Sequence, residues 1–561
     1  MPKEPWILGL SASHNGAACL LKGSEIFVAV QEERLTRVKR QWIYGAERPL
    51  AVGYCLKFAG ILPHDLSAIA LSVTGSARDS KHNLLVNPLV ASNKKHLRTF
   101  LIPHHYAHAV SAFATSGFRD AAVLVVDGVG SPAEDWFEEE RRVATKSVNH
   151  GSEMISLYAG SGTSLVALEK HPVEYGAWLT KRSGGMPLFA SLGGVYSAVS
   201  EQIFGDAMEA GKVMGLAPYG SPEIPIDAFF EIKKGNFHFR NQLPDKFAHD
   251  DRWPAHEEEY KNLAASVQIA LEEALLYLTG RLRMLQSSEN FCYAGGVALN
   301  SVANERIVRH SGFRNVHIIP AAEDSGAAIG AAYYALWQLT GENSCTRMAH
   351  DACGQPYSTA EVANAVKRTS EVRWAGSSDP ISDAVDLLCD GKIIGWFNGR
   401  SEIGPRALGQ RSILCDPRHP CGKDMLNRKV KKREGFRPFA PAILEEETAN
   451  WFELDGVSPD SPFMLRVCKF RSEKKDLVPA VVHVDGTGRL QTLTRQNNGR
   501  FYQLVREFYR RTGVPILLNT SFNIAGEPIV ETPADAINCL LQTELDCCVF
   551  DDRIVFKHIN W

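Results

Sequence analysis

Short apolar runs separated by small and polar residues open the chain. Residues 7–10, 16–21 and 26–30 are three such runs, and the segments between them contain Ser, His, Asn and Gly. This alternation predicts three strands of a β-meander. A similar run at 122–126 leads into an Asp-Gly turn, and another strand-like run follows at 154–158. The recurrence predicts a duplicated strand-turn-strand unit.

Helical periodicity is clearest in the middle of the chain. Between residues 260 and 285, apolar positions recur at spacings of three and four, which predicts an amphipathic helix. A strand is expected at 291–294. The stretch 340–358 is rich in glycine, serine and asparagine and has little periodicity, so it predicts a linker. Beyond it, two helices and a strand are expected at 359–367, 381–389 and 392–397.

The length of the chain predicts more than one domain. A chain of 561 residues exceeds the size at which single hydrophobic cores stop growing. Hydrophobic residues make up 45% and charged residues 22%, which is ordinary globular usage and excludes a fibrous or disordered chain. We expect two α/β domains, at 1–345 and 346–561.

Charge and targeting signals narrow the function classes. The 61 basic and 64 acidic residues give a formal charge of −3, which offers no global attraction for nucleic acid. The N-terminus lacks a signal-peptide pattern and no apolar run is long enough to span a membrane, so a cytoplasmic protein is expected. None of the 12 cysteines forms a C-x-x-C motif, which favours reduced thiols over a zinc knuckle.

Two histidines and two aspartates are candidate metal ligands. His104 and His108 are four residues apart, and on a helix this spacing projects both imidazoles from one face. Surface or capping histidines also produce the pattern, but Asp127 at the end of an apolar strand strengthens it. Asp324 precedes a small-residue helix and is either a further ligand or a helix N-cap. The set suits Fe(II), Mn(II) or Zn(II) better than Ca(II).

Two glycine-rich segments are candidate nucleotide contacts. Gly295 and Gly296 lie between a predicted strand and a helix, where bare backbone lets a phosphate approach the helix N-terminus. A tight turn would select the same residues. The segment 211–220 is predicted to be a second glycine-punctuated loop. It matches neither a Walker A motif nor the dinucleotide fingerprint.

Basic residues are concentrated beyond residue 399. Guanidinium groups bind phosphate or carboxylate through paired hydrogen bonds, so the cluster predicts an oxyanion pocket, with a solvated face or a nucleic-acid groove as alternatives. Interleaved glycine, proline and apolar residues favour the pocket. The polar stretch 519–523 follows an apolar strand and offers groups for a carbonyl or amide, although a turn would also select it. The cluster comprises Arg400, Arg406, Arg411, Lys429, Lys431, Lys432, Arg433 and Arg437.

Together these segments resemble the O-carbamoyltransferases of antibiotic tailoring and nodulation-factor synthesis. The resemblance is collinear over nearly the whole chain and rests on seven motifs. They are H-x-x-x-H at 104–108, V-D-G-V-G at 126–130, the glycine-lysine segment at 211–220, A-G-G-V-A-L-N at 294–300, G-P-R-A-L-G-Q-R-S at 404–412, R-P-F-A-P at 437–441 and L-N-T-S-F-N at 518–523.

The resemblance implies an actin/Hsp70-like, Kae1-like ATP-binding domain at 1–345 and a YrdC-like domain at 346–561. It implies ATP, a divalent metal that is iron in the family with manganese as an alternative, and Mg(II) with the nucleotide. The implied metal ligands are His104, His108, Asp127 and Asp324. The implied ATP contacts are Lys39, Gly128, Gly295, Gly296, Asn300 and Asp324. The implied carbamoyl phosphate contacts are Arg406, Lys431, Arg437, Arg489 and Asn519. The implied catalytic residues are His14, Asp127 and Arg406.

The implied reaction hydrolyses carbamoyl phosphate to carbamate, forms carbamoyl adenylate with release of pyrophosphate, and transfers the carbamoyl group to a hydroxyl of a small molecule. No motif identifies that acceptor or an oligomeric state. The tRNA threonylcarbamoylation machinery is an alternative with the same folds, but it requires a broad basic surface. An actin-like ATPase or chaperone is a second alternative, but it assigns no function to the second domain. The charged stretch 135–152 lacks a strand pattern and predicts an insertion in the second hairpin.

Overall fold

The computed structural model describes residues 4–43, 49–75, 89, 97–146, 151–173, 189–240, 250–342 and 345–558. The chain divides into two compact units. The first comprises Met1–Ala29 and Trp42–Met348, and the second comprises Val30–Gln41 and Ala349–Trp561. We expected one boundary near residue 345, but the segment Val30–Gln41 also belongs to the second unit. That segment joins the second unit because its arginines bind backbone carbonyls there.

The part of the chain before residue 342 alternates strands and helices. Its strands are β1 (Trp6–Ala12), β2 (Ala17–Lys22), β3 (Glu25–Gln31), β4 (Leu66–Val73), β5 (Arg98–Pro103), β6 (Asp120–Val126), β7 (Ser152–Ser161), β8 (Ser164–Val173), β9 (Phe230–Lys233), β10 (Asn236–Phe239), β11 (Asn290–Ala294) and β12 (Asn315–Ile318). Its helices are α1 (Glu32–Thr36), α2 (Leu50–Ala59), α3 (His104–Ala114), α4 (Glu138–Arg142), α5 (Leu192–Phe204), α6 (Ala210–Leu216), α7 (Glu257–Leu285), α8 (Ser301–His310) and α9 (Ser325–Thr340). The predicted meander, the long amphipathic helix and the strand after it are confirmed.

Two five-stranded sheets of the same design confirm the predicted duplication. Their orders are β3-β2-β1-β4-β5 and β8-β7-β6-β11-β12. In each sheet the first strand pairs antiparallel with the next strand along the chain and parallel with a later one. The outer pairs, β4 with β5 and β11 with β12, are also parallel. This doubled topology is the expected actin/Hsp70-like fold.

Helix α9 packs closely against β1 and α3 because its buried face is built from glycine and alanine. A Cβ atom on Gly330 would lie 1.8 Å from the carbonyl oxygen of Ala107, so only glycine permits this approach. The close packing brings the N-terminus of α9 beside the N-terminal half of α3. Both helices carry candidate metal ligands near that end.

The segment predicted to be a glycine-punctuated loop at 211–220 is instead largely helical, so that prediction was wrong. Helix α6 runs through Gly211 and Gly215 and continues into a 3₁₀ turn at Ala217–Tyr219. Val213 and Leu216 are fully buried, and α6 packs against α5 and α7. Tertiary packing of this apolar face overrides the low helix propensity of two glycines.

The charged insertion between β6 and β7 forms the short helix α4 and delivers Glu140 to a buried ion network. The ammonium of Lys170 donates to Glu140 Oε1 at 2.5 Å and to Glu153 Oε1 at 2.7 Å, and all three side chains are inaccessible to solvent. Tyr158 donates its hydroxyl to the same Glu140 oxygen. Burial opposes ionisation of Glu153, but Lys170 outweighs it and lowers the pKa of that carboxyl to about 2. The network ties the insertion to β7 and β8.

The chain beyond residue 349 forms one mixed sheet flanked by helices. Its strands are β13 (Val372–Gly376), β14 (Ile394–Phe397), β15 (Arg411–Cys415), β16 (Ala440–Leu444), β17 (Arg466–Lys469), β18 (Thr487–Leu493), β19 (Ile516–Ser521), β20 (Cys547–Val549) and β21 (Arg553–Lys557). Its helices are α10 (Thr359–Lys367), α11 (Pro380–Cys389), α12 (Gly422–Leu426), α13 (Thr448–Trp451), α14 (Arg495–Thr512) and α15 (Pro533–Gln542). The sheet order is β13-β21-β20-β14-β15-β19-β16-β18-β17. The predicted second α/β domain is confirmed, with α10, α11 and β14 close to their expected bounds.

The core of the second unit is built around the central strands of its sheet. Trp396, Phe501, Phe508 and Leu517 are among its buried residues, which come from the central strands and from α14. Strands β14, β15 and β19 are buried on both faces over most of their length, as expected for strands covered on both sides. Within the described residues, no helix has the length and hydropathy needed to cross a membrane.

Replacing Lys170 with Met should strongly destabilise the first unit. The change leaves Glu140 and Glu153 buried together without a cation, and breaking a buried ion network typically costs about 3–5 kcal/mol. Urea unfolding followed by tryptophan fluorescence measures the loss. As a matched control, Arg142→Met removes only an exposed pair with Glu138 and should leave the midpoint unchanged. Equal midpoints for the two variants would contradict this account of the network.

Candidate functional site

Two histidines meet at the first turn of α3. Strand β5 ends at Pro103 and the helix begins at His104, so His108 lies one turn further along the same face. Both imidazoles are fully buried, and their Nε2 atoms are 3.1 Å apart. His104 Nδ1 is 3.4 Å from the hydroxyls of Ser72 and Thr74, which orients its ring. The sequence prediction of a shared helical face is confirmed.

Two aspartates face these nitrogens from the ends of other elements. Asp127 follows β6, and its Oδ2 is 3.4 Å from His104 Nε2. Asp324 immediately precedes α9, and its Oδ1 is 3.3 Å from His104 Nε2. Although Asp324 occupies the N-cap position, its side chain makes no capping hydrogen bond. Glu323 accepts from the backbone N–H of Ser325 instead, which releases Asp324 toward the histidines.

The four side chains meet the geometric requirement for one divalent ion. Their ligand atoms all lie within 4.8 Å of one another. His108 Nε2 is 3.8 Å from Asp127 Oδ2 and 3.6 Å from Asp324 Oδ1. Four ligands at bond lengths of about 2.0–2.1 Å around a tetrahedral ion are roughly 3.4 Å apart. The donors also fit a transition metal chemically, since two imidazoles and two carboxylates suit iron, manganese and zinc alike.

The electrostatics of this site call for positive charge. Burial alone would lower the pKa of His104, but Asp324 and Asp127 outweigh it and raise the pKa to about 10. Burial alone would raise the pKa of Asp324. His104 and His14 outweigh burial and hold the pKa of this carboxyl well below its usual range. Two carboxylates are therefore kept ionised out of water. A divalent cation bound to the neutral imidazoles would replace the positive charge that the protonated histidines otherwise supply.

His14 lies at the edge of the same site. It follows β1 in the turn before β2, and its Nδ1 is 3.2 Å from Asp324 Oδ2. Its side chain is 28% exposed, whereas both helical histidines are completely buried. The His14 ring also contacts Trp42 edge to face. It is therefore the imidazole of this group that an incoming molecule can reach.

Residues that the sequence analysis missed hold the ligands in place. Glu153 Oε2 accepts from the backbone N–H groups of His105 and Ser131, each at 2.9 Å. Ser131 Oγ accepts from the N–H of His104 and donates to the carbonyl of Val73. These bonds join the start of α3 to the loop after Asp127. A lone glutamate within an apolar strand was the available signal in the sequence.

The predicted nucleotide contacts have clear structural partners. Asp127 Oδ1 accepts from the N–H groups of Gly128 and Gly296, at 2.8 and 3.1 Å. Gly295 donates its N–H to the carbonyl of Ala322. Asn300 is the N-cap of α8, and its amide is also paired with the amide of Gln268. The structure places the glycines beside the aspartate, and the roles of the glycines and of Asn300 toward ATP stay predictions.

The candidate ligands in the first unit share one topological position. His14, His104, Asp127 and Gly295 each follow the carboxyl end of a strand, namely β1, β5, β6 and β11. The two sheets each present parallel strands whose carboxyl ends lie at one edge. Ligands of open α/β sheets bind at such edges.

A second cluster lies at one edge of the sheet of the second unit. Arg406 precedes β15, Arg437 precedes β16, Arg489 lies near the start of β18 and Asn519 lies in β19. Because β19 runs antiparallel to β15 and β16 while β16 is parallel to β18, these positions converge. The structure thus brings together four of the five predicted carbamoyl phosphate contacts.

The arginines of this cluster repel one another. Burial and the nearby Arg437 lower the pKa of Arg406 to about 10, and burial with Arg437 lowers that of Arg433 to about 9. Burial and the neighbouring arginines also lower the pKa of Arg489. The Nε atoms of Arg406 and Arg489 are buried and have no hydrogen-bond partner among the described residues. Arg433 is a member that the site prediction omitted.

An asparagine side-chain oxygen near the arginines is free to accept a hydrogen bond. Asn519 Nδ2 donates to the carbonyl of Ala407 at 3.1 Å and to Gln491 Oε1 at 2.7 Å. Gln491 in turn donates to the carbonyl of Leu408, which sets the orientation of both amides. Asn519 Oδ1 is buried and finds no partner within the described part of the chain. The cluster therefore combines unneutralised donors with one free acceptor.

The two lysines of the site prediction both lie in the second unit, and their roles toward carbamoyl phosphate and ATP stay predictions. Lys431 Nζ donates to Asn523 Oδ1 at 2.7 Å and also to backbone carbonyls of Ser521 and Asn523. Burial and then Arg433 hold its pKa well below the usual range. Lys39, predicted to contact ATP, lies in the segment of the second unit and acts electrostatically on Lys431.

Replacing His108 with Ala should abolish binding of a divalent ion while the chain remains folded, because one of four convergent ligands is lost. Metal content after exposure to Fe(II), Mn(II) or Zn(II) and dialysis, measured by plasma mass spectrometry, tests this. The control is His317→Gln, since His317 is buried in the same unit but pairs with Thr115. Equal metal content in the two variants would refute the assignment of His108.

Comparison with known proteins extends the picture to the whole chain. A family model described as the carbamoyltransferase N-terminus matches residues 79–333, and one described as the carbamoyltransferase C-terminus matches residues 385–557. Nodulation protein NolNO of Sinorhizobium fredii (strain NBRC 101917 / NGR234) is 34% identical over 582 residues, covering 97% of this chain and 79% of that protein. Nodulation protein NolO of Bradyrhizobium diazoefficiens is 35% identical over 471 residues, covering 81% and 78% of the two chains.

Among solved structures, full-length HypF in its phosphate- and nucleotide-bound form is similar at 13% identity and a TM-score of 0.39, over 61% of this chain and 57% of that one. The family matches cover both units in chain order, and the sequence identity to NolNO extends over almost the entire chain. The chain therefore belongs to the carbamoyltransferase family and is a carbamoyl-transferring enzyme.

Proposed function

We propose that this enzyme is an ATP-dependent O-carbamoyltransferase that takes its carbamoyl group from carbamoyl phosphate and delivers it to a hydroxyl of a small molecule. The observation that carries the proposal is the arginine cluster of the second unit, with the free acceptor Asn519 Oδ1 beside it. Arg437 is paired with Glu434 at 3.7 Å, but burying Arg406 and Arg489 beside it is still costly, so the cluster favours a bound anion.

Carbamoyl phosphate has the chemical groups that this cluster lacks. Its phosphate oxygens accept hydrogen bonds from guanidinium groups, which here are Arg406, Arg437 and Arg489. Its amide nitrogen donates, and Asn519 Oδ1 is the matching acceptor. A fully ionised phosphate group would satisfy the arginines but has no hydrogen to donate to the asparagine. The combination supports recognition of both ends of the molecule.

The first step in the second unit is hydrolysis. One water molecule is consumed as the bridge between the carbamoyl carbon and the phosphate is cleaved, which yields carbamate and inorganic phosphate. The arginines bind the phosphate and stabilise the charge that develops on it. Carbamate decomposes in water, so the proposal requires its transfer without exposure to solvent.

The remaining steps belong to the first unit. A carbamate oxygen attacks the α-phosphorus of ATP and pyrophosphate leaves, which gives carbamoyl adenylate. The acceptor oxygen then attacks the carbonyl carbon, the bond to the adenylate oxygen breaks, and AMP leaves. A divalent ion held by His104, His108, Asp127 and Asp324 supplies charge stabilisation for substrate oxygens. Gly128, Gly295 and Gly296 offer backbone near Asp127 for the nucleotide, and His14 lines the site where the acceptor reacts.

The acceptor and the compartment are part of the same proposal. Two relatives are named nodulation proteins, and the small negative charge of this chain gives no support for a nucleic-acid substrate. We therefore place a small hydroxyl compound in this role. All 12 cysteines are free thiols, and ATP is the second substrate, so a reducing cytoplasm is the setting that fits.

The experiment that tests this function measures pyrophosphate release from ATP by the purified protein with Fe(II) or Mn(II) and no acceptor. Release of pyrophosphate and AMP that depends on carbamoyl phosphate is expected, because adenylation precedes transfer. ADP and phosphate formed at the same rate without carbamoyl phosphate would instead identify an actin-like ATPase.

Replacing Arg406 with Ala should raise the KM for carbamoyl phosphate at least roughly 30-fold, because losing one partner of a buried charge-assisted pair costs about 2–5 kcal/mol. The KM for ATP should not change. Supplied carbamoyl adenylate should still react, since Arg406 acts before adenylation. The control Arg418→Ala removes an arginine paired with Asp416. An Arg406→Ala enzyme with the kinetics of the control would remove Arg406 from the donor site.

A further inference from the structure

An arginine from the N-terminal segment is built into the loop that carries Arg406. Residues Val30–Gln41 belong to the second unit, and Arg34 within α1 is only 1% exposed. Its Nη2 donates to the carbonyl oxygen of Gly404 at 2.7 Å. No motif of the sequence analysis singled out Arg34, and the metal and donor sites described above do not include it.

Gln31 binds the N–H group of the same residue, Gly404. Its Oε1 accepts from Arg34 Nε and from the backbone N–H of Gly404, each at 3.3 Å. Gly404 has a φ of +105°, a conformation that L-residues rarely adopt. Both polar groups of this residue are therefore held by the N-terminal segment. Gly404 lies two residues before Arg406 in the same loop.

The other side of the loop is held by residues from the C-terminal part of the chain. Glu402 Oε1 accepts from the N–H groups of Leu408, Gln410 and Arg411. Asn519 and Gln491 bind the carbonyls of Ala407 and Leu408. The backbone after Arg406 is thus fixed independently of Arg34. Before Arg406, the hydrogen bonds to Gly404 come from Arg34 and Gln31.

The far end of the segment is anchored to a different loop. Arg37 donates to the carbonyls of Pro528 and Ile529, at 2.8 and 2.7 Å, and forms an ion pair with Glu527. This second anchor fixes α1 in place without touching the loop of Arg406. The segment is therefore a rigid support from which Arg34 reaches Gly404.

We propose that Arg34, together with Gln31, is a positioning residue for the donor substrate: by fixing the peptide of Gly404 it aims the Arg406 guanidinium at the phosphate of carbamoyl phosphate. The inference rests on the proposed function, because it assigns Arg406 to the donor site. It predicts that substitution of Arg34 or Gln31 lowers the affinity for carbamoyl phosphate and leaves the affinity for ATP unchanged.

The test variant is Arg34→Lys. Lysine keeps a positive charge at this buried position, but it lacks the guanidinium fork that spans Gln31 and Gly404. Gln31→Met is a second variant, which keeps the length and removes the acceptor. Arg466→Lys is the matched control, since Arg466 is equally a buried arginine that binds loop carbonyls, those of Ser458 and Asp460.

Calorimetric titration with carbamoyl phosphate and, separately, with inorganic phosphate measures the affinity of each variant for these two anions. Arg34→Lys should bind both anions about 10- to 100-fold more weakly than the wild type, because displacing a positioned group by about 1 Å has effects of that size. Arg466→Lys should bind them normally. In an Arg406→Ala background, Arg34→Lys should produce no further loss, since both changes act through one group.

Unchanged affinity in both Arg34→Lys and Gln31→Met, or an additive loss in the Arg406→Ala background, would overturn the inference. Failure of the proposed function looks different. In that case the wild type shows no pyrophosphate release that depends on carbamoyl phosphate, while the phosphate titrations still report whether Arg34 supports the Arg406 loop.

Discussion

Charge of one sign, withdrawn from water and left without a full set of partners, is the constraint from which both sites follow. In the first unit it is negative, because Asp127 and Asp324 are held ionised beside two imidazoles. In the second unit it is positive, because burial and the charges of neighbouring arginines lower the pKa values of Arg406, Arg433 and Arg489. Such arrangements are unfavourable in isolation and become favourable when an opposite charge binds. The first unit is therefore suited to a cation and the second to an anion.

The two units differ in the strand directions that bring their site residues together. The first unit gathers its ligands at the carboxyl ends of parallel strands, and the glycines and alanines of α9 allow the helix to bring Asp324 close to α3. The second unit alternates strand directions, so that β19 ends where β15, β16 and β18 begin. In both units, buried residues behind the site fix the geometry. Glu153 does so for the histidines, and Glu402 with Arg34 does so for Arg406.

The sequence predicts the fold well where patterns are local. The duplicated meander, α7 and the helices α10 and α11 all follow from periodicity and turn residues, and the H-x-x-x-H spacing is enough to place two imidazoles on one face. It fails where tertiary packing decides, as in α6, whose glycines suggest a loop while its apolar face is buried. Arg34 could not be recognised, because its importance comes from contacts with residues far away in the chain. No local pattern records that Arg34 lies against Gly404.

The central claim is that one chain turns carbamoyl phosphate and ATP into an activated carbamoyl group. The most direct measurement supplies carbamoyl phosphate labelled with ¹³C at the carbonyl, together with ATP and no acceptor, and identifies the labelled products by mass spectrometry of the rapidly quenched reaction. The account predicts that the label appears in carbamoyl adenylate, with pyrophosphate formed in equal amount. Label recovered only as carbamate or bicarbonate, while ATP stays intact or is converted to ADP, would contradict it.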